Sequence, residues 1–314
     1  MGTRIETWED FIASADLHIH SKTPKNRKGD YYGQVITKFA ALLKITATYS
    51  VPRLLVVAGD FFDSPNVPYK VVRLIMEMLI DANVKILVVP GQHDLRYHVS
   101  GLDNTPLGIL STSKLVTVLD PVNKVEINGV SFIGAGWDEE PLVKADVLVM
   151  HRMVTKKEEL WPGQTNYSTA HAILRKYPWA KCIISGDNHL PHALRTKENR
   201  LQINCGSLVR STKTQTDFEP RCWRVNASNW STKSIKIPIE PAEQVFDFTK
   251  IIIEETKEEN KKAAEAKMAA FIDTLPQTEK ERPNYKNILQ SVISQVKPKD
   301  SVKNIINETM ERVS

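Results

Sequence analysis

Five short segments of the chain carry side chains able to hold divalent metals, and each follows an apolar run. "FIASADLHIH" delivers Asp16 and His18, and "RLLVVAGDFFD" delivers Asp60. "VKILVVPGQHD" delivers Gln92, His93 and Asp94, "ADVLVMH" delivers His151, and "KCIISGDNH" delivers Asp187 and His189. Two divalent cations about 3.5–4 Å apart need a bridging carboxylate and several further oxygen or nitrogen donors. Asp60 is the natural bridge, because the glycine before it lets the backbone turn sharply and approach the metals. A mixed set of imidazole, carboxylate and amide donors with no thiolate suits Mn²⁺, Fe²⁺ or Zn²⁺. Such a pair polarises a phosphoryl group and makes hydroxide available near neutral pH. Any one of these motifs alone is more often a turn or a satisfied histidine. All five in order, each at the end of an apolar run, form a joint signal.

Residues so far apart in sequence must be brought together by the elements that carry them. "GQVITKFAALLKITATYS" and "YKVVRLIMEMLIDAN" have apolar residues at helical spacing and alternate with the apolar strands. This βαβαβ rhythm with continuous apolar strands is the signature of a sheet covered on both faces. In open α/β sheets, ligands bind outside the carboxyl ends of the strands, so the five segments should converge there. From about residue 200, "RLQINCGSLVRST", "RCWRVNAS" and "SIKIPIEP" read as short strands without intervening helices, an antiparallel edge expected to complete a second sheet. "EETKEENKKAAEAKMAAFIDTL" is rich in helix formers. One or two shorter helices follow the breaker "PQTEKERPNY". The composition change places a boundary near residue 244, giving a core of 1–244 and a helical region of 245–314.

Composition fixes the broad class. The chain has 314 residues, of which 41% are apolar and 25% charged, as in a soluble globular protein. No apolar run approaches the roughly 18–20 residues that would span a bilayer, and no secretory signal is read at the N-terminus. Three cysteines without a C-x-x-C pair favour reduced thiols in a cytoplasmic setting over a disulfide framework. A formal charge of +5 is compatible with nucleic acid but does not require it.

The ordered set "DLHIH", "GDFFD", "GQHD", "MH" and "GDNH" resembles the calcineurin-like metallophosphoesterase superfamily, and within it the SbcD-type DNA repair and recombination nucleases, phage relatives included. "GDFFDSP", the glycine-serine stretch "INCGSLVRS" and a helical tail carry the narrower resemblance. It implies a four-layer α/β/β/α sandwich with a C-terminal helical extension, and two bound divalent metals. Asp16, His18, Asp60 and His189 would hold the first metal; Asp60, Gln92, His151 and Asp187 would hold the second. His93 would steady the phosphate or protonate the leaving oxygen, and Asp94 would orient its ring. Two positions depart from the family pattern: Gln92 stands for the usual Asn and Asp187 for the usual His. Both replacements still offer a donor, so the expectation is an active enzyme whose second metal is Mn²⁺ or Mg²⁺ in preference to Zn²⁺.

Lysine- and arginine-rich loops follow the motifs: "SKTPKNRKGDYYG", "LRYHVSG" and "PHALRTKENR", with Arg210 beyond. Basic residues interleaved with tyrosine could track a phosphate backbone and stack a base, although each loop alone reads as a solvated one. His20, His98, His171 and His192 match no motif position and read as structural or surface residues, with substrate contact a secondary reading for His98 and His192. Apolar residues recur at helical spacing in "YKNILQSVISQV" and "SVKNIINETMERV". By resemblance, these tail helices would dock on the coiled coil of an SbcC-type ATPase subunit, and the chain would form a homodimer. No G-x-x-x-x-G-K-[ST] loop occurs in the chain, so an ATPase would have to be a separate subunit. The expected activity is a two-metal DNA phosphodiesterase, an exonuclease with endonuclease action also open. The alternatives are hydrolysis of a small nucleotide or phosphoester, and a non-catalytic scaffold of the same fold.

Overall fold

The computed structural model describes residues 10–50, 52–98, 101–158, 163–212, 215–273 and 285–296. In chain order the elements begin β1 (Asp10–Ser14), α1 (Tyr31–Tyr49), β2 (Leu54–Ala58), α2 (Tyr69–Ala82), β3 (Lys85–Val89), α3 (Pro106–Thr112) and β4 (Thr117–Val118). They continue with β5 (Val125–Ile127), β6 (Val130–Ala135), β7 (Val147–His151), β8 (Val154–Thr155), β9 (Ser168–Thr169), α4 (Ala170–Lys176) and β10 (Cys182–Gly186). Then come β11 (His192–Arg195), β12 (Leu201–Asn204), β13 (Arg221–Asn226), β14 (Thr232–Lys236), α5 (Ala242–Val245), α6 (Phe248–Asp273) and α7 (Tyr285–Val296).

Two six-stranded sheets form the centre, in the orders β14-β13-β1-β2-β3-β4 and β11-β12-β10-β7-β6-β5. Strand pleating explains the continuous apolar runs, since successive side chains face opposite layers. Leu55 and Val57 of β2 pack with Val35 and Phe39 of α1 and Ile75 of α2. Their neighbours Leu54, Val56 and Ala58 face Val147 and Val149 of β7 and Ile184 of β10. Leu148, Met150 and Ile183 turn outward against Ile173 and Leu174 of α4. The layers are helix, sheet, sheet, helix, the α/β/β/α sandwich expected from the sequence.

The late strands divide differently from the expectation. Only β11 and β12 join the second sheet, β12 parallel to β10. The segments "RCWRVN" and "TKSIK" (β13 and β14) instead extend the first sheet, β13 running antiparallel to β1. Composition marks these segments as strands but cannot assign them to a sheet, since either sheet has an open edge to extend.

The chain separates into two compact units, Met1–Phe248 and Thr249–Ser314. In the second unit, Ile288, Val292 and Ile293 of α7 are half-buried and Val296 is exposed. The predicted helix over 301–313 lies outside the described residues. Cys182, Cys205 and Cys222 are free and buried, with burial raising each thiol pKa. Among the described residues, no helix is long and apolar enough to cross a membrane.

Candidate metal centre

The parallel strands β1, β2, β3, β7 and β10 bring their C-terminal ends to one edge of the sandwich. Beyond β1 and β2 the chain stays paired through irregular backbone: Asp16 N–H donates to Gly59 O at 3.0 Å and His18 N–H to Asp60 O at 3.0 Å. The positive φ angles of Asp16 (50°), His18 (45°), Asp60 (49°) and Asp187 (73°) turn these side chains out of the pleat. Left-handed backbone costs a non-glycine residue free energy, and its concentration here is typical of a functional site. Two glycines permit the closeness of the strands. A Cβ on Gly59 would lie 2.1 Å from His151 Nδ1, and one on Gly91 would lie 2.1 Å from Asp60 Oδ1.

The donors fall into overlapping clusters: Asp16 with His18 and His189, Asp16 with Asp60 and His151, and His18 with Asp60 and His93. Asp60 is central, with Oδ2 3.7 Å from His18 Nε2 and 3.4 Å from His151 Nε2. The Nε2 atoms of His18 and His189 are 3.1 Å apart. The imidazoles are aimed from behind. His18 Nδ1 lies 3.0 Å from Asp63 Oδ1, and His151 Nδ1 lies 2.8 Å from Ala58 O. Ala58 O holds the Nδ1 proton of His151 and leaves Nε2 as the inward donor, the arrangement of metal-ligating histidines, and Asp63 stands at ion-pair distance from His18 Nδ1.

The residues fit divalent cations on an independent ground. Asp16 Oδ2, Gln92 Oε1 and His151 Nε2 are buried and accept or donate no hydrogen bond. Buried polar atoms are normally paired, so three orphans aimed into one centre call for a further partner. The charges agree. Burial, opposed by His151 and reinforced by Asp60, pushes Asp16 up to about 7. Against burial, which alone would lower it, the bond to Asp63 and the charges of Asp60 and Asp16 raise His18 to about 9. Against burial likewise, Asp60 and Asp16 raise His151 to about 10. Burial and the neighbouring His18 drop His189 to about 3. Without a cation, this centre balances clustered carboxylates with protons.

Asp187 belongs to none of these clusters and pairs with Gln92. Gln92 Nε2 donates to Asp187 Oδ1 at 3.1 Å, and Asp187 N–H donates to Asp16 Oδ1 at 3.0 Å. His93 is exposed. Its backbone N–H donates to Asp60 Oδ1 at 3.0 Å and its Nδ1 lies 3.0 Å from Asp63 O. Asp94 does not orient that ring, contrary to the expectation. Its carboxylate is fully buried and accepts the backbone N–H groups of Phe61, Phe62 and Gly91, which ties the β2 and β3 turns together. Burial and the charge of Asp60 push it up to about 7, while those three bonds pull the other way.

Two kinds of residue escaped the sequence reading. Asp63 joins His18, His20 (3.5 Å to Nδ1) and, through its carbonyl, His93. Its place in "GDFFD" was a visible signal. Asn188 and Asn204 brace the "GDNH" turn: Asn188 Nδ2 donates to Val154 O at 2.7 Å and Asn204 Nδ2 to Asn188 O at 2.6 Å. Nothing local in the sequence marks Asn204 for that task.

The basic loops are only partly a rim. Lys22, Lys25 and Lys28 are exposed. Arg27 and Arg210 are buried structural residues: Arg27 donates to Arg210 O at 2.9 Å, Arg210 donates to Thr216 O at 2.8 Å, and both stack on Phe246. Tyr31 is buried too, its hydroxyl 3.0 Å from Ser211 Oγ, and cannot stack a base. His171 is exposed on α4, His192 is half-buried on β11, and the side chain of His98 lies outside the described residues.

A family model described as calcineurin-like phosphoesterase matches residues 10–193, a span containing every one of these donors. The chain belongs to that family. It is thereby a metal-dependent phosphoester hydrolase by family; the family binds two divalent metals, and the clusters here are able to hold a metal ion. No curated protein matches the chain. Among solved structures, TT1561 of Thermus thermophilus is similar at 10% identity and a TM-score of 0.47, over 74% of this chain and 100% of that one. A 5'-nucleotidase precursor from the same organism is similar at 12% identity and a TM-score of 0.42, over 83% of this chain and 59% of that one. A dimetal phosphatase from Danio rerio is similar at 13% identity and a TM-score of 0.40, over 73% of this chain and 99% of that one.

Proposed function

We propose that this phosphoesterase cleaves phosphodiester bonds in DNA as an exonuclease, with endonuclease action at the same site. The observation that carries the reading is exposed histidine and lysine residues on segments that flank a buried centre. Asp16, His18, Asp60 and His151 are buried, while His93 and Lys22, Lys25 and Lys28 are exposed, and these lysines offer cations for a phosphate backbone. Asp16, His18, Asp60 and His189 would hold one divalent ion; Asp60, Gln92, His151 and Asp187 would hold the other. When bound, the ion pair supplies Lewis-acid polarisation of the phosphoryl group and activates water for attack.

The chain's own residues do the rest. Asp63 pairs with the His18 ring and, through its carbonyl, keeps the Nδ1 proton of His93 in place. His93 therefore presents Nε2 outward. When protonated, it donates from Nε2 to the leaving oxygen while Nδ1–H remains on Asp63 O. Oxygen donors from Gln92 and Asp187 favour Mn²⁺ or Mg²⁺ over Zn²⁺ at the second position. The same reading assigns the apolar face of α7 (Ile288, Val292 and Ile293) to the coiled coil of an SbcC-type ATPase subunit.

The test is hydrolysis of linear duplex DNA with Mn²⁺ or Mg²⁺, wild type against His93→Ala, beside a panel of nucleotides. The reading expects DNA cleavage that falls by about 10²–10⁴-fold in the variant, the usual contribution of a general acid. Turnover of a nucleotide with no action on DNA would replace it with the small-substrate alternative.

A further inference from the structure

We infer that Tyr97 is a stacking platform for an unpaired nucleobase beside the metal centre, a reading that rests on the DNA assignment above. Tyr97 follows His93 by four residues, on the loop that continues from the same turn. It stands 84% exposed, although a tyrosine ring usually gains by burying its face. Its backbone is left-handed, with φ 58° and ψ 23°, in the middle of the second of two short 3-10 turns, Gln92–Asp94 and Arg96–His98. A bulky residue in that conformation carries a steric cost, and such a cost points to function when no packing offsets it.

The residues just before it are anchored, so the outward ring is not a consequence of a loose loop. Leu95 is buried, and its N–H bonds to Gln92 O at 3.4 Å. The Arg96 guanidinium donates to Asn66 Oδ1 at 3.0 Å. Asn66 lies three residues past Asp63, whose carbonyl holds His93. The support of the catalytic histidine and the support of the tyrosine are therefore one stretch of chain. Four residues reach at most about 15 Å. At about 3.4 Å per nucleotide along a strand, the ring lies within roughly four nucleotides of the phosphate that His93 would serve. Stacking is sequence-tolerant, because every base offers a π-face, and it suits an enzyme that must accept any sequence.

The test uses the full chain and oligonucleotides with an unpaired end, carrying 2-aminopurine at successive positions. Wild type should quench the fluorescence at a particular distance from the end. Tyr97→Ala should lose that quenching and weaken DNA binding by about 5- to 100-fold, and Tyr97→Trp should restore both. Tyr97→Gly separates stacking from folding: it relieves the left-handed backbone, so its melting temperature should match or exceed that of wild type while its DNA binding falls like that of the alanine variant. Tyr69, 85% exposed at the start of α2 in ordinary helical backbone, is the control. The inference is overturned if wild type cleaves DNA but Tyr97→Ala and Tyr97→Gly bind it as wild type does. It is also overturned if tryptophan fails to restore binding, or if Tyr69→Ala causes an equal loss. Wild type that hydrolyses bis-p-nitrophenyl phosphate yet neither binds nor cleaves DNA would remove the DNA assignment itself, and this site with it.

Discussion

The two halves of the metal centre are built on different plans. Around Asp16, His18 and His189, two of the three side chains are held from outside the cluster. Asp63 pairs with the His18 ring, and the Asp187 N–H steadies Asp16. The His18 and His189 nitrogens meet at 3.1 Å. Around Gln92 and Asp187, the donors satisfy each other: the amide of one bonds the carboxylate of the other at 3.1 Å. The first half has more support from outside and so the better preorganised donors, although a cation must part its two imidazole nitrogens; in the second a cation must compete for a carboxylate already engaged by an amide. Preorganised donors lose less on binding, so the first metal should be held more tightly than the second.

Asp60, which the proposed assignment gives to both metals, should give the largest effect. Asp60→Asn removes the shared charge, so both metals should be lost, and with them several kcal/mol of transition-state stabilisation, about 10³-fold or more in rate. Metal content per chain after gel filtration checks this, and an asparagine variant retaining two ions would show that Asp60 is no bridge. Asp63→Asn should discriminate between the halves. Among the proposed ligands it weakens the support of His18 alone, so the tighter metal should lose about 10- to 100-fold in affinity while the weaker one changes little. Titration calorimetry resolves the two, and an equal change at both would dissolve the distinction.

Much of this centre could be read in the sequence, because each donor is a polar side chain placed where an apolar run stops. The layer order was equally legible, since runs such as "LLVVA" are apolar at every position only when both faces are covered. What was hidden depended on partners distant in sequence. Asp94 looks like a companion of its neighbour His93, but both its oxygens face backbone amides delivered by β2 and β3. Arg27, Arg210 and Tyr31 look like a binding loop and prove to be a buried cluster with Phe246, which lies 36 residues beyond Arg210 in the sequence. Charge and aromaticity give a side chain's chemistry but not which way it faces.

Gln92 and Asp187 offer a smaller and more specific test. Because they bond each other, their departures from the family pattern should act as one change. Restoring either alone, by Gln92→Asn or Asp187→His, should weaken the second metal. In Gln92→Asn the amide retreats from its carboxylate; in Asp187→His the carboxylate that faced the Gln92 N–H is removed. The double variant should recover part of the loss, with a coupling of about 0.5–3 kcal/mol as for residues in direct contact. Independent, additive effects on metal affinity would mean that the 3.1 Å bond has no bearing on the site.

The subtlest prediction is a reversal of slope with pH. In the metal-free protein, His18 and His151 are raised to about 9 and 10 from an ordinary 6.5. A group whose folded pKa is raised stabilises the fold fully below its unfolded value, and that contribution disappears as pH climbs through the folded value. Asp16, raised to about 7 from 3.8, acts in the same direction: the folded state keeps a proton that the unfolded state has released, so stability falls between about pH 4 and 7. The metal-free melting temperature should therefore fall steadily from about pH 7 to about pH 10. Saturating Mn²⁺ must displace the protons on both histidines, so its binding strengthens as pH rises. With the metal present, the melting temperature should climb from about pH 6 towards about pH 9, opposite to the metal-free protein. Parallel slopes in the two series would mean that the protons of His18 and His151 do not occupy the places of the metals.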